Sequence, residues 1–145
     1  MNTSIRPRSP SDMIRRGYTD AEMECIFALG RLFLESGSFS RAAVILKGLT
    51  EVAPEFAPVW LALGYLAIMN GEYEQALSCS SQVLRRNPTS PEAMLMNVIC
   101  SLSTGDINSA GTYLGELKDG IDGEVINNPQ LVRLYQSQLV RFQSR

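Results

Sequence analysis

Residues 60–76 read WLALGYLAIMNGEYEQA, and parts of this stretch return elsewhere in the chain at a fixed interval. The interval is 34 residues, and it holds both for Gly71 and for Ala76, the last residue of the stretch. The recurring positions are Gly37, Gly71 and Gly105, followed five residues later by Ala42, Ala76 and Ala110. A chain that repeats itself at such a period is a stack of similar supersecondary units. Because such stacks usually present a binding surface and no catalytic pocket, the repeat already indicates a class of function.

Each repeat unit is predicted to be a pair of helices joined by a tight turn. Apolar or small residues three and four positions apart give the first helix of a unit one packing face, as at Trp60, Gly64, Ala67 and Ile68. The recurring glycines follow a polar residue and accept the positive φ that ends a helix. Pro54 and Pro88 end the second helices of the first two units. We therefore predict an all-α fold of three helix hairpins, with units at 23–56, 57–90 and 91–122 inside a repeat region at 19–122.

The two flanks of the repeat region differ in character. Thr19 and Glu22 have the spacing of a capping box, which predicts that the first helix begins near residue 20. Residues 1–18 are interpreted as a flexible N-terminal extension, disordered over 1–11, with a short helical turn near Asp12–Arg16. Its four arginines could form an arm for nucleic acid or membrane, but because they are scattered we interpret them as a solvated charged tail.

The C-terminal flank, residues 123–145, is predicted to be a capping helix that begins at Asn128-Pro129. It carries one apolar stripe, made of Leu131, Leu134, Tyr135, Leu139 and Phe142. Arg141 and Arg145 follow at the end of the helix, where the helix dipole favours cations. The stripe predicts either a cap over the third repeat or a helix that docks on a partner.

Composition excludes several classes of partner. The 145 residues carry a formal net charge of −2, and the repeats show no basic face of the kind that nucleic acid requires. No run of 18 apolar residues predicts a membrane span, and the N-terminus lacks the apolar core of a secretory signal. Cys25, Cys79 and Cys100 are interpreted as small core residues in a reducing compartment, with no disulfide or metal role. These features predict a cytoplasmic protein.

Enzymatic chemistry finds no support in the sequence. The chain contains no histidine, which removes the commonest general base and the commonest zinc ligand. Glycine-rich phosphate-binding motifs are also missing from it. Glu22, Glu24 and Glu35 are interpreted as a solvated helix face and not as an acid–base pair. We therefore predict a protein that is not an enzyme and that needs no cofactor and no metal.

The motif Trp60-Leu61-Ala62-Leu63-Gly64 and the 34-residue period resemble the tetratricopeptide repeat (TPR) family over residues 23–122. The first repeat keeps Leu29-Gly30 at the matching place, whereas the third has Asn97 and Val98 there. The resemblance implies a right-handed superhelix of three TPR hairpins. It also implies a concave groove whose wall comes from positions 5, 9 and 12 of each repeat. In this chain those positions hold Phe27, Arg31, Leu34, Leu61, Tyr65, Ile68, Leu95, Ile99 and Leu102.

Eight of these nine groove candidates are apolar or aromatic, which predicts a site for an apolar segment of a protein client. The alternative is that the nine are partly buried core. TPR proteins that bind acidic C-terminal tails use a clamp of Lys and Asn. The clamp positions here hold Phe27, Arg31, Ala62, Glu92 and Met96, so that clamp is missing from the sequence.

The small size, the acidic balance and the apolar groove together resemble the TPR chaperones of bacterial type III secretion. This resemblance implies a non-enzymatic cytoplasmic chaperone that keeps a client soluble without ATP. The client segment would bind as an amphipathic helix or as an extended strand, a co-chaperone is a further candidate partner, and a homodimer is compatible with the resemblance. The alternative interpretation is a TPR adaptor that links subunits of an assembly, or a subunit that regulates an enzyme.

Overall fold

The computed structural model describes residues 17–144, which form α-helices and, within that range, no strand. The predicted all-α fold is confirmed. The predicted disorder of residues 1–11, the helical turn near Asp12–Arg16 and the placement of Arg145 lie outside the described residues. The helices are α1 (Asp20–Glu35), α2 (Phe39–Val52), α3 (Ala57–Met69), α4 (Tyr73–Arg86), α5 (Pro91–Thr104), α6 (Ile107–Asp122) and α7 (Pro129–Gln143).

Helix α1 begins with the predicted capping box. The Glu22 backbone N–H donates to Thr19 Oγ1 at 3.1 Å, and the Thr19 backbone N–H donates to Glu22 Oε1 at 2.9 Å. The backbone N–H of Thr19, and then its side chain, lower the pKa of Glu22 by stabilising the carboxylate. Two of the free N–H groups at the helix start are therefore satisfied by side chains.

The three turns predicted from the recurring glycines adopt the same backbone geometry. Gly37, Gly71 and Gly105 have φ of 83°, 75° and 86°, the left-handed region that glycine enters at no steric cost. A Cβ built on any of the three would meet no atom within 4 Å. Glycine is therefore favoured at these positions by the backbone conformation and not by a lack of space. The residue after each glycine donates its N–H at 2.8 Å to the carbonyl five positions back, from Ser38 to Phe33, from Glu72 to Ala67 and from Asp106 to Ser101. These bonds satisfy the last carbonyls of the helix, as in a Schellman motif.

The described chain divides between Leu63 and Gly64, inside α3, into two compact units. The first unit contains α1, α2 and the first half of α3. Its core is built from Met23, Ala42, Leu46, Leu49, Ala53 and Val59. A Cβ on Gly30 of α1 would lie 3.1 Å from Leu46 Cδ2 of α2, so the two helices cross where one of them has no side chain.

Trp60 fixes the start of α3 within the first unit. Its indole N–H donates to the Pro54 carbonyl at 2.7 Å, across the turn that joins α2 to α3. Because the indole is half-buried, this bond satisfies an N–H group that has limited access to water.

The second unit is organised around α5, which packs against α4, α6 and α7. Its core is built from Met94, Leu95, Val98, Leu114, Leu117 and Tyr135. A Cβ on Gly64 would lie 2.7 Å from Met96 Cε and closer still to the sulfur. Gly64 is the glycine of the sequence motif, and its missing side chain makes room for α5.

The third repeat replaces expected apolar positions by polar groups that pair with one another. Asn97 and Ser101 are both buried in α5, and the Ser101 hydroxyl donates to Asn97 Oδ1 at 3.0 Å. A buried polar group costs little when it is hydrogen-bonded. The departure from the repeat pattern at Asn97 is therefore compatible with a packed core.

Helix α7 begins at the predicted Asn128-Pro129 pair, and Asn128 Oδ1 accepts from the Gln130 N–H at 2.9 Å. Tyr135 is buried, and Leu131, Leu139 and Phe142 pack against the core of the second unit. Leu134 differs from the predicted stripe, because 38% of it stays exposed. The Arg141 guanidinium donates to Ser103 Oγ at 2.8 Å, which ties α7 to α5.

The turn glycines generate a first prediction, in which two exposed glycines are compared. Gly71→Ala should lower the free energy of unfolding by about 1–2 kcal/mol, because alanine resists positive φ. Gly115→Ala, inside α6 and likewise with no atom within 4 Å of an added Cβ, should raise it by about 0.5–1 kcal/mol. Urea unfolding monitored by circular dichroism measures both. Equal shifts for the two variants would contradict the conformational explanation.

The recurring alanines generate a second prediction. Ala76 in α4 is completely buried, so Ala76→Leu should destabilise the protein by about 1–3 kcal/mol through overpacking. Gln75→Leu is the matched control, because Gln75 is its exposed neighbour on the same helix and should leave the melting temperature nearly unchanged. An Ala76→Leu variant that melts with the wild type would show that the helix register is wrong.

Candidate functional site

The four groove candidates of the first unit differ in their exposure. Phe27 is half-buried and meets Phe56 edge to face, with ring centroids 5.5 Å apart and planes at 86°. Phe27 and Leu34 pack against the core of this unit, and Leu61 is half-buried. These apolar side chains therefore contribute to packing as well as to the surface.

Arg31 is the exposed member of this set. Its guanidinium lies 5.9 Å from the Phe27 ring centroid and 3.8 Å from the Glu35 carboxylate, with 59% and 65% of the two side chains exposed. An ion pair this exposed contributes little to stability. Arg31 can therefore exchange Glu35 for another carboxylate at small cost.

In the second unit, Tyr65 is the groove candidate most open to solvent, with 52% of the residue exposed. Ile68, Ile99 and Leu102 are half-buried. Leu95 lies in the core with 1% exposure, because α5 is covered by three neighbouring helices. Leu95 is therefore left out of the candidate surface, in contrast to the sequence expectation.

The structure adds Met69, which the sequence reasoning missed. Met69 is 45% exposed and follows Tyr65 by four residues on α3, so the two side chains share one helix face. We call this pair the Tyr65–Met69 patch. The i, i+4 spacing from Tyr65 was a signal that could have identified it. An aromatic ring beside a flexible thioether suits an apolar ligand of variable shape.

The three cysteines do not share one environment. Cys79 and Cys100 are buried, as expected, but Cys25 is exposed on α1, which corrects its interpretation as a core residue. Burial raises the pKa of the Cys79 thiol. Burial, with a further contribution from the charge of Cys79, raises the pKa of Cys100 to about 11. Both buried thiols are therefore protonated at neutral pH and poor nucleophiles.

The described residues offer neither a metal-binding cluster nor a membrane-spanning helix. Over 17–144, His, Cys, Asp and Glu side chains form no group of three that could hold a metal ion. None of the helices in that range combines the length and the apolar character that crossing a bilayer requires.

Comparison by sequence identifies the repeat class. Residues 27–91 match the tetratricopeptide repeat family, so the TPR resemblance read from the motif and the period is confirmed. No curated protein matches the chain by sequence.

Solved structures with the same fold include PcrH from Pseudomonas aeruginosa, with a TM-score of 0.74 and 22% identity over 88% of this chain and 94% of PcrH. SycD, the type III secretion translocator chaperone of Yersinia enterocolitica, matches with a TM-score of 0.77 and 17% identity over 96% of this chain and 100% of SycD. SycD in complex with a peptide of the translocator YopD matches with a TM-score of 0.75 and 18% identity, over 87% and 93% of the two chains. The resemblance to type III secretion chaperones is thus confirmed at the level of the fold.

The cysteine environments generate a third prediction. A small aromatic disulfide reagent at neutral pH should titrate Cys25 rapidly in the folded protein, and Cys79 and Cys100 only after unfolding. The raised pKa values keep the buried thiols protonated, so raising the pH towards 9 should accelerate them little while burial persists.

Replacing all three cysteines by alanine or serine should leave partner binding unchanged, with a modest loss of stability. A variant that folds but no longer binds, or a wild-type protein that purifies with stoichiometric zinc, would contradict the inert role.

Proposed function

We propose that this protein is a cytoplasmic, non-enzymatic chaperone of a type III secretion system that binds an apolar segment of a client protein. The observation that carries the proposal is the Tyr65–Met69 patch, on a TPR frame of the same fold as SycD bound to a YopD peptide. The absence of histidine from the sequence agrees with a binding role in place of a catalytic one.

The patch supplies the kind of contact that a client would need. Burying a side chain such as Tyr65 or Met69 contributes about 1.5–3 kcal/mol of gross binding energy. Aromatic residues with polar edges dominate many interfaces once water is excluded from them. Because ordering a flexible peptide offsets much of this gain, the complex should be tight enough to protect a client and weak enough to release it.

We expect Arg31 to affect which client is bound more than how tightly the client is bound. Its exposed guanidinium, which pairs loosely with Glu35, suits a client that carries an acidic residue. Exposed charges of this kind affect association rate and specificity more than total binding energy.

The proposed function generates a fourth prediction. Tyr65→Glu should weaken client binding at least tenfold, about 1.4 kcal/mol, because the client must then desolvate a carboxylate. The melting temperature should barely move, since Tyr65 is already half exposed. The client is first captured by co-purification with the wild-type protein from its native host. Its binding region is then measured as a labelled peptide by fluorescence anisotropy.

Two variants control this experiment. Tyr65→Phe keeps the ring and should retain binding within about threefold. Val125→Glu adds the same charge at a residue that is 83% exposed and outside the patch, and should change nothing. A Tyr65→Glu variant that unfolds would identify Tyr65 as core, and one that folds and binds normally would place the client on another surface. Recovery of several subunits in fixed stoichiometry, with no single client, would favour the adaptor function.

A further inference from the structure

Helix α7 differs in charge from the rest of the described chain. Over residues 17–128, Asp and Glu outnumber Lys and Arg more than twofold. Helix α7 has two arginines, Arg133 and Arg141, and contains no Asp or Glu, a combination that no other helix of residues 17–144 shows. Both arginines are exposed. The outer face of α7 is therefore a small cationic surface on an acidic protein.

The sequence of α7 is nearly symmetric about Ser137. Residues 133–141 read RLYQSQLVR, so a glutamine comes first and an arginine fourth in either direction from the serine. The second residue on each side packs against the core of the second unit. The third residue on each side is aliphatic and open to solvent, with 38% of Leu134 and 60% of Val140 exposed. Because residues three and four positions apart are neighbours on a helix surface, Ser137 is surrounded by two aliphatic side chains and two cations.

Ser137 leaves a low point at the centre of this face. Its hydroxyl donates to the Leu134 carbonyl at 2.8 Å, so the side chain is satisfied within its own helix. A ligand can therefore cover Ser137 without leaving a buried polar group unpaired. Leu134, Ser137, Gln138 and Arg141 follow the i, i+3, i+4, i+7 spacing of the hole that receives one side chain of a neighbouring helix.

Arg141 is held in position while its charge stays available. Its guanidinium donates to Ser103 Oγ at 2.8 Å and to Gln138 Oε1 at 3.4 Å, and both acceptors are neutral. These bonds leave three of the five guanidinium N–H groups for an anion. Lys118 of α6, in contrast, lies 2.6 Å from Asp122 of its own helix. Helix α7 offers its arginines no such carboxylate, so charge complementarity favours a carboxylate from a partner.

The spacing of the two arginines selects the kind of partner. Arg133 and Arg141 are eight residues apart, which is about 12 Å along the helix axis. A second helix packed alongside α7 can place two carboxylates at this interval, with aliphatic residues between them. A second copy of this face is disfavoured, because it would bring arginines together. Nucleic acid or an anionic bilayer is disfavoured as well, because the acidic helix α6 packs beside α7 and repels an extended anion.

We infer that the outer face of α7 docks an acidic amphipathic helix of a partner protein. Two carboxylates of that helix bind Arg133 and Arg141, and its aliphatic residues cover Leu134 and Val140. Because the charges are exposed and the apolar contacts few, the interaction is weak and depends on salt. The face shares no residue with the Tyr65–Met69 patch, so the inference does not rest on the proposed chaperone function.

A designed peptide tests the face on the full chain. The peptide is a helix of about 20 residues rich in alanine and glutamine, with the central segment Glu-Leu-Ala-Ala-Ala-Ala-Ala-Leu-Glu. Its Kd, from fluorescence anisotropy, should be about 10–100 μM in low salt and rise about fivefold or more at about 0.3 M salt. The matched peptide with lysine in place of both glutamates should not bind. An acidic peptide that fails to bind, or that binds no better than the lysine peptide, would overturn the inference.

Charge reversal on the protein tests the position of the site. Arg133→Glu, which keeps the hydrogen bond of Arg141 to Ser103, should weaken the acidic peptide about threefold or more. Arg133→Glu combined with Arg141→Glu should abolish that binding and create binding of the lysine peptide. The control reverses two exposed cations on α2 and α4, Lys47→Glu with Arg85→Glu, and should bind the acidic peptide within about twofold of the wild type.

Circular dichroism checks that each variant keeps the helical content of the wild type. Arg133→Glu alone answers the question if the double variant unfolds. Undiminished binding by a folded Arg133→Glu variant, or an equal loss in the control, would show that the peptide binds elsewhere. A wild type that binds anionic vesicles or duplex DNA more tightly than the acidic peptide would overturn the choice of a protein helix as the partner.

Discussion

The fold depends on helices that cross where one of them has no side chain. At Gly64 an added Cβ would displace Met96 of α5, and at Gly30 it would press on Leu46 of α2. Two helices that approach this closely exclude water between them, and the residues around the crossing become a core. The buried alanines Ala42 and Ala76 on the second helices have the same effect at complementary positions. The first two repeats are therefore specified as much by positions that lack a large side chain as by their apolar residues.

Most apolar side chains of the repeat helices are used in packing, so few remain exposed to contact a ligand. Tyr65 and Met69 are open to solvent while the residues behind them are committed to packing. A ligand that contacts them gains apolar burial without rearranging the core, so binding and folding draw on different residues. This separation agrees with the proposed chaperone function, in which the client must be released without unfolding of the protein.

The helices and turns could be predicted well from the sequence because they depend on interactions between residues that are close in sequence. The positive φ at Gly71, the capping box at Thr19 and the proline start of α7 each involve residues only a few positions apart. The period of 34 then placed the same glycine turn in all three units, and the all-α fold followed.

The candidate surface was harder to predict, because exposure is decided by neighbours that are distant in sequence. Position 5 of the third repeat holds Leu95, which three surrounding helices bury, although the same position in the first repeat leaves Phe27 half exposed. Cys25 lies on α1 among apolar residues, yet it is exposed. Repeat position predicts which way a side chain points within a unit, but it does not predict what packs over it.

Helix α5 is buried from Ala93 to Val98 without interruption. This burial should determine how slowly the backbone amides of α5 exchange with solvent. Amide hydrogens exchange with solvent only when their hydrogen bonds break, and the free energy of that opening rises with the contacts that must be lost. Opening α5 means separating it from α4, α6 and α7 together, so its amides should exchange only in the global unfolding of the unit. The first turn of α1, held by two exposed hydrogen bonds at Thr19, should exchange by local fraying many orders of magnitude sooner.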